Sequence, residues 1–189
     1  MSLMPEICFL CNLILEYMQT FFRSVRPSDF DTVFRILREA AQTMVAKGRQ
    51  QWDENYPAKT DLQADFDSGV GYVIGEDAEI VAYAAISFRG EPAYDALEGS
   101  WLSASPYAVV HRVAVLHSAL GRGLARRIFS EAERLCRERG VQSIRIDTNY
   151  DNAEMLSLVR HLGFIYCGKV YYQRGTTEKT ERLAFEKIL

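Results

Sequence analysis

The turn Gly121-Arg122-Gly123 stands between an apolar stretch, Val113-Ala-Val-Leu-His-Ser-Ala-Leu120, and a run carrying Arg126 and Arg127. Helices ordinarily begin with Asp or Glu, because the unpaired amides and the dipole of the first turn carry partial positive charge. The helix expected after Gly123 does the reverse, opening with Arg122, Arg126 and Arg127 and meeting no acid before Glu131. Exposed amides beside three cations favour an anion as partner. Two glycines let the backbone approach that anion closely, as phosphate-binding turns do. A plain strand-to-helix turn with solvated arginines would show the same residues.

Two further groups carry possible chemistry. The connection from Arg89 to Pro106 holds Glu91, Asp95 and Glu98 with Tyr94 and Trp101, and a loop of that length inside a compact domain is often functional. The loop Gln50-Gln-Trp-Asp-Glu-Asn-Tyr-Pro57 offers Trp52 and Tyr56, which either line a substrate pocket together with Tyr94 or cover one end of the core. Cys8-Phe-Leu-Cys11 has the spacing of a zinc or redox pair. It sits in an apolar run with no second Cys-x-x-Cys or paired histidines, so no metal is expected. Cys136 and Cys167 read with it as buried or incidental thiols of a reducing, cytoplasmic setting.

These groups must be positioned by about a dozen elements. A chain of 189 residues, 48% hydrophobic and 25% charged, suits one globular domain with a full core. A net charge of -3 argues against nucleic acid as a partner, which would need a large basic footprint. Residues 1–19 read as an N-terminal extension, a short helix or a disordered tail, whose apolar run is too short to span a membrane. Residues 20–189 read as the domain.

Thr20 to Val25 is the first strand, and Arg26-Pro27-Ser28-Asp29 opens a helix whose Val33, Ile36, Leu37, Ala40, Ala41 and Met44 share one face. Thr60 is expected to cap a short helix from Asp61 to Asp67. Strands follow at Val70 to Gly75, Ile80 to Phe88 and Tyr107 to Leu116. In the last of these, strict alternation puts His111, Val113 and Val115 on one face and Arg112, Ala114 and Leu116 on the other.

The helix after Gly123 buries Leu124, Ile128, Ala132 and Leu135 and ends at Gly140. The strand Val141 to Thr148 then makes a parallel crossover with Tyr107 to Leu116. Asp151-Asn152 opens a last helix, and Phe164 to Tyr172 with Arg182 to Ile188 closes the chain as a hairpin.

The order β-α-α-β-β-β-α-β-α-β-β and the glycine turn together resemble the GNAT superfamily of coenzyme A-dependent N-acyltransferases. The family turn, Q/R-x-x-G-x-G/A, here reads Ser118-Ala-Leu-Gly121-Arg-Gly123, matching both glycines and departing at Ser118. Asn152 through Leu162-Gly163-Phe164 resembles the family's second motif, and Val113-Ala-Val115 its cofactor strand. The resemblance covers about residues 20 to 189. It implies an α/β (α+β) fold with a central mixed, mostly antiparallel sheet flanked by helices. The parallel pair, the fourth and fifth strands, would splay at the cofactor site.

The resemblance further implies acetyl-coenzyme A as cofactor. Its pyrophosphate would rest on Leu120, Gly121, Arg122, Gly123, Leu124, Ala125 and Arg126, and its pantetheine arm would pair with the backbone of Val113, Ala114 and Val115. Asn152 is a polar contact to that arm, a helix N-cap, or both. The implied reaction is acetyl transfer to a primary amine by direct attack in a ternary complex, which needs a base for the ammonium proton. His111, an imidazole that titrates near neutral pH, and Glu98, in the loop entering the strand, are the candidate bases. The family's acid tyrosine falls on Val159, so Tyr166 or Tyr150 would have to replace it.

That missing tyrosine also motivates a second reading, a non-catalytic acyl-coenzyme A binding module. A dinucleotide fingerprint fits poorly, because its third small position is Arg126. The expected partner is a small-molecule or protein amine, and exposed terminal strands make a homodimer an expected arrangement.

Overall fold

The computed structural model describes residues 20–174 and 178–189. The N-terminal extension with Cys8 and Cys11, and the turn at 175–177, lie outside the described residues. Among the described residues no helix is long and apolar enough to cross a membrane.

Strand β1 (Thr20–Ser24) leads through a tight turn at Pro27–Asp29 into α1 (Phe30–Ala46). Asp29 fastens the entry, accepting the Arg26 amide at 2.7 Å and an Arg23 guanidinium nitrogen at 2.6 Å. The Arg23 hydrogen bond holds its carboxyl below the ordinary range against the opposing effect of burial. Val33, Ile36, Leu37 and Ala41 of α1 are fully buried, the face expected from their spacing. Helix α2 (Lys59–Asp67) starts two residues earlier than expected. Its cap is Asp61 reaching back to the Ala58 amide at 2.7 Å, not Thr60.

Eight strands form one sheet: β2 (Gly71–Glu76), β3 (Glu79–Ser87), β4 (Glu98–Gly99), β5 (Tyr107–Val115), β6 (Ser143–Thr148), β7 (Ile165–Arg174) and β8 (Glu178–Ile188) join β1 in the order β1-β2-β3-β5-β6-β8-β7-β4. Helices α3 (Leu124–Arg139) and α4 (Ala153–His161) are the remaining α-helices among the described residues. Both α1 and α3 pack on β3 and β5. Accordingly β3 is buried from Ile80 through Ile86, as a strand covered on both faces must be.

Every strand pairing is antiparallel except β5 with β6, which pair in parallel at Tyr107 with Ser143, Ala108 with Ile144 and Val109 with Arg145. Beyond Val109 the two strands part, although β5 runs on to Val115 and β6 to Thr148. The splayed pair is therefore present; the short strand β4 makes its members fifth and sixth.

On its other side β5 carries a bulge. Ala85 of β3 faces His111, but Tyr83 faces Ala114, so two residues of β5 stand against one of β3. Arg112 adopts φ +51° there, which breaks the alternation expected along this strand. The Arg112 guanidinium is held by Asp65 of α2, with Nε to Oδ2 at 2.6 Å and a second, very short bond to Oδ1. Tyr83 donates its hydroxyl to the same carboxylate at 2.7 Å.

The 89–106 connection is not the free loop expected from its length. A turn at Pro92–Ala96 and strand β4 fold it back over the sheet. Trp101 and Tyr107 sandwich the Arg145 guanidinium at 4.2 and 3.8 Å from their ring centres. Fully buried Glu186 accepts from Arg145 Nε (3.1 Å), Ser103 Oγ (2.9 Å) and the Leu102 amide (2.6 Å). Gly99 and Gly168 bring β4 onto β7 so closely that a Cβ on either would lie 2.1 or 2.2 Å from the facing carbonyl oxygen.

Candidate active site

Where β5 and β6 part, two cavities meet, sharing Met44, Val113, Asn152 and Met155 as walls. The first, of about 290 Å³, runs along Val113, Ala114 and Val115 past Leu120 and Ala125. The second, of about 300 Å³, lies at the bulge and is lined by Val110, His111, Arg112 and Val113 in succession. A regular strand shows one face only every second residue, so this exposure of four neighbours is a product of the bulge and the gap together.

The turn at the first cavity has the geometry an anion needs. Gly121 and Gly123 sit at φ +80° and +77°, with open space where a side chain would project. Gly123 caps α3 without any side-chain hydrogen bond, and no acid occupies the first turn, so its amides are unshielded. Arg122 does not join them as a loose cation. Its guanidinium donates to Glu76 of β2 and to the Ser118 carbonyl, both at 2.8 Å, which braces the turn on the sheet. Arg126 lines a shallow depression beside α4, with Ser157 and His161.

Asn152 is the N-cap of α4, accepting the Met155 amide at 3.2 Å. Its Nδ2 donates to Gln51 Oε1 at 3.1 Å. Its side chain walls both cavities.

Polar groups converge in the second cavity. His111 Nε2 lies 3.1 Å from Glu91 Oε2, and its Nδ1 lies 3.9 Å from Asp147 Oδ1. Asp147 accepts the hydroxyls of Tyr94 at 2.9 Å and Tyr172 at 2.8 Å. Burial and the carboxylate beside them push both phenols well above their ordinary pKa, so they stay donors. Burial alone would raise the Glu91 carboxyl. The His111 bond and the Ala93 amide outweigh it, and the net direction is down. If Glu91 Oε2 accepts a ring proton from Nε2, Nδ1 is left as an acceptor on the Asp147 side, and Asp147 Oδ1 already takes both tyrosine hydroxyls.

The expected site residues divide accordingly. Trp52 and Tyr56 line the second cavity beside Gln51 and Asp61. Tyr94 lies beneath it, 1% exposed, touching the site through Asp147. Glu98 is not brought there. The Gly99–Gly168 approach pins it to the outer edge of the sheet, where its exposed carboxylate accepts from Tyr171 at 2.8 Å. Glu91, seven residues earlier in the same connection, takes the position beside His111.

Tyr166 is half exposed on β7 against the Phe185 ring, and Tyr150 is exposed after β6; neither lines either of these two cavities. Asp147 and Tyr172 were missed by sequence reasoning. The available signal was Asp147 itself, a carboxylate in an apolar crossover strand where burial demands a partner.

The family model for the acetyltransferase (GNAT) family matches residues 30–164. A GNAT-family acetyltransferase from Streptococcus agalactiae is similar at 32% identity with a TM-score of 0.77, over 92% of this chain and 98% of that one. One from Listeria monocytogenes reaches a TM-score of 0.70 at 18% identity, over 90% and 95%. The Salmonella typhimurium protein yncA, solved with its cofactor acetyl-CoA, reaches 0.63 at 15% identity, over 89% and 93%. At those lower identities the likeness concerns the fold. No curated protein matches the chain significantly in sequence.

Proposed function

Because the chain belongs to the GNAT family of acetyltransferases, we propose that it moves an acetyl group from acetyl-coenzyme A to a primary amine by direct attack in a ternary complex. The groove fits that cofactor. From Val110 onward β5 has no ladder partner on the β6 side, so its backbone needs an amide-bearing ligand to complete it. Val113, Ala114 and Val115 would hold the arm, with Asn152 facing it. The amides of the turn from Leu120 through Arg126 would hold the pyrophosphate. When bound, acetyl-coenzyme A supplies the acetyl group already activated as a thioester.

The observation that carries the amine reading is His111 Nδ1 beside the Asp147 carboxylate, 3.9 Å from its Oδ1, in the wall of the second cavity. An ammonium placed there donates one hydrogen to His111 Nδ1 and lies in the field of the Asp147 carboxylate, whose Oδ1 already takes both tyrosine hydroxyls. Asp147, kept in place by Tyr94 and Tyr172, attracts and orients the cation. His111 Nδ1 takes one proton, leaving a neutral nitrogen with a free electron pair. Glu91 on Nε2 stabilises the imidazolium that forms, as an orienting carboxylate does for a histidine base. Trp52 and Tyr56 cover the acceptor from the far side and limit water there. A module that only bound the cofactor would have no use for this polar cluster in the second cavity.

The test is coenzyme A release from acetyl-coenzyme A across a panel of primary amines, with the product mass recorded. The expected result is release with at least one amine, accompanied by addition of one acetyl group to that amine. Tight acetyl-coenzyme A binding with no transfer to any member of a broad panel would overturn the reading.

A further inference from the structure

The segment following α1 crosses the cleft and is tied to the opposite wall at four places. Lys47 Nζ lies 2.9 Å from Glu154 Oε1, and Arg49 makes a very short bond to Glu154 Oε2. The Gln50 amide donates to Asp151 Oδ2 at 3.0 Å. Gln51 Oε1 gathers three donors, Thr148 Oγ1 at 3.0 Å and both the Asn149 amide and Asn152 Nδ2 at 3.1 Å.

The two ends of this strap differ in surroundings. Gln51 faces the acceptor cavity, whereas Lys47 and Arg49 line the cofactor groove. The Arg49 side chain is only 14% exposed, yet its charge rests on Glu154, a carboxylate 59% exposed at the start of α4. Lys47 shares that same carboxylate. The Lys47 hydrogen bond is the largest influence on Glu154, with Arg49 adding to it, and together they hold its carboxyl down at about 2. Two cations thus stand in the groove on one solvent-facing anion, while Arg122 of the glycine turn is already taken by Glu76.

We propose that Lys47 and Arg49 are phosphate-binding residues of the groove, and that Glu154 holds them as an internal anion which a coenzyme A phosphate replaces. The inference rests on the reading of this groove as the acyl-coenzyme A site. A phosphate offers a guanidinium the same two-pronged acceptor as a carboxylate and carries more charge. Exchange therefore keeps both cations paired, and it removes the like-charge repulsion only when Glu154 swings outward, which its exposure allows. The Gln51 end of the strap, with its three neutral donors, is untouched by the exchange.

The experiment is calorimetric titration of coenzyme A into the full chain at low and high salt. Glu154→Gln frees both cations and is expected to bind coenzyme A about 3- to 10-fold more tightly, as the loss of two competing ion pairs on one exposed carboxylate would give. The double variant Lys47→Ala with Arg49→Ala should bind about 10-fold more weakly, with a shallower salt dependence than wild type. Thermal melts of each variant establish that it is folded. If folded Glu154→Gln binds coenzyme A no more tightly than wild type, or if the double variant keeps wild-type affinity and salt slope, the exchange does not occur. Failure of wild type itself to bind coenzyme A would instead refute the underlying reading of the groove, and the inference with it.

Discussion

His111→Ala should lower the rate of acetyl transfer by about 10²- to 10⁴-fold, the range expected when a positioned general base is removed. Acetyl-coenzyme A affinity should be unchanged, since the His111 side chain does not line the cofactor groove. Glu91→Gln keeps the ring in place but removes the charge that stabilises the imidazolium, so its loss should be smaller and confined to kcat. Glu98→Gln should be indistinguishable from wild type, because Glu98 lies on the outer edge of the sheet. Full turnover in His111→Ala would remove the histidine from the mechanism.

Asp65→Ala should cost about 3–5 kcal/mol of stability, the range for removing one partner of a buried ion pair. Asp65 is 3% exposed and is the shared acceptor for Arg112 and Tyr83. Without it a shielded guanidinium and a fully buried hydroxyl lose their partner together, and Tyr56 remains for Arg112 only at 3.3 Å. The pair also holds Arg112 at φ +51°, a conformation that costs about 1–3 kcal/mol and persists only where its surroundings enforce it. Set against a typical domain stability of about 5–15 kcal/mol, the loss should be plain in urea unfolding. The bulge should relax as well, moving His111 and lowering turnover in the fraction that stays folded. A loss below about 1 kcal/mol would mean that water replaces the carboxylate, contrary to the burial described.

Much of the fold was legible because periodicity reports burial. The spacing of Val33, Ile36, Leu37 and Ala41 reads as a helix face, and Leu124, Ile128, Ala132 and Leu135 as another, since each must meet the sheet. The turn at Gly121 and Gly123 was legible because positive φ and an acid-free helix start are written in residue types.

Convergence across the chain was not. Glu91 and Glu98 are equivalent in composition, and only the close approach of Gly99 to Gly168, a contact between distant segments, carries one outward and leaves the other at the histidine. The bulge at Arg112 was hidden for the same reason. Its cause is a carboxylate 47 residues earlier, which an alternating pattern cannot announce. Asp147 gains its meaning from Tyr94 and Tyr172, 53 and 25 residues away.

The central claim is that the gap between β5 and β6 is where the acyl cofactor lies. Amide hydrogen exchange on the full chain, with and without coenzyme A, tests it by position. The gap leaves β5 without a partner on its β6 side beyond Val109, so coenzyme A should slow exchange at residues 110–115 and at the turn residues 120–126, while β1, β2 and β4 remain as they were. Binding of coenzyme A with those two segments unprotected, or with protection elsewhere on the sheet, would contradict the account.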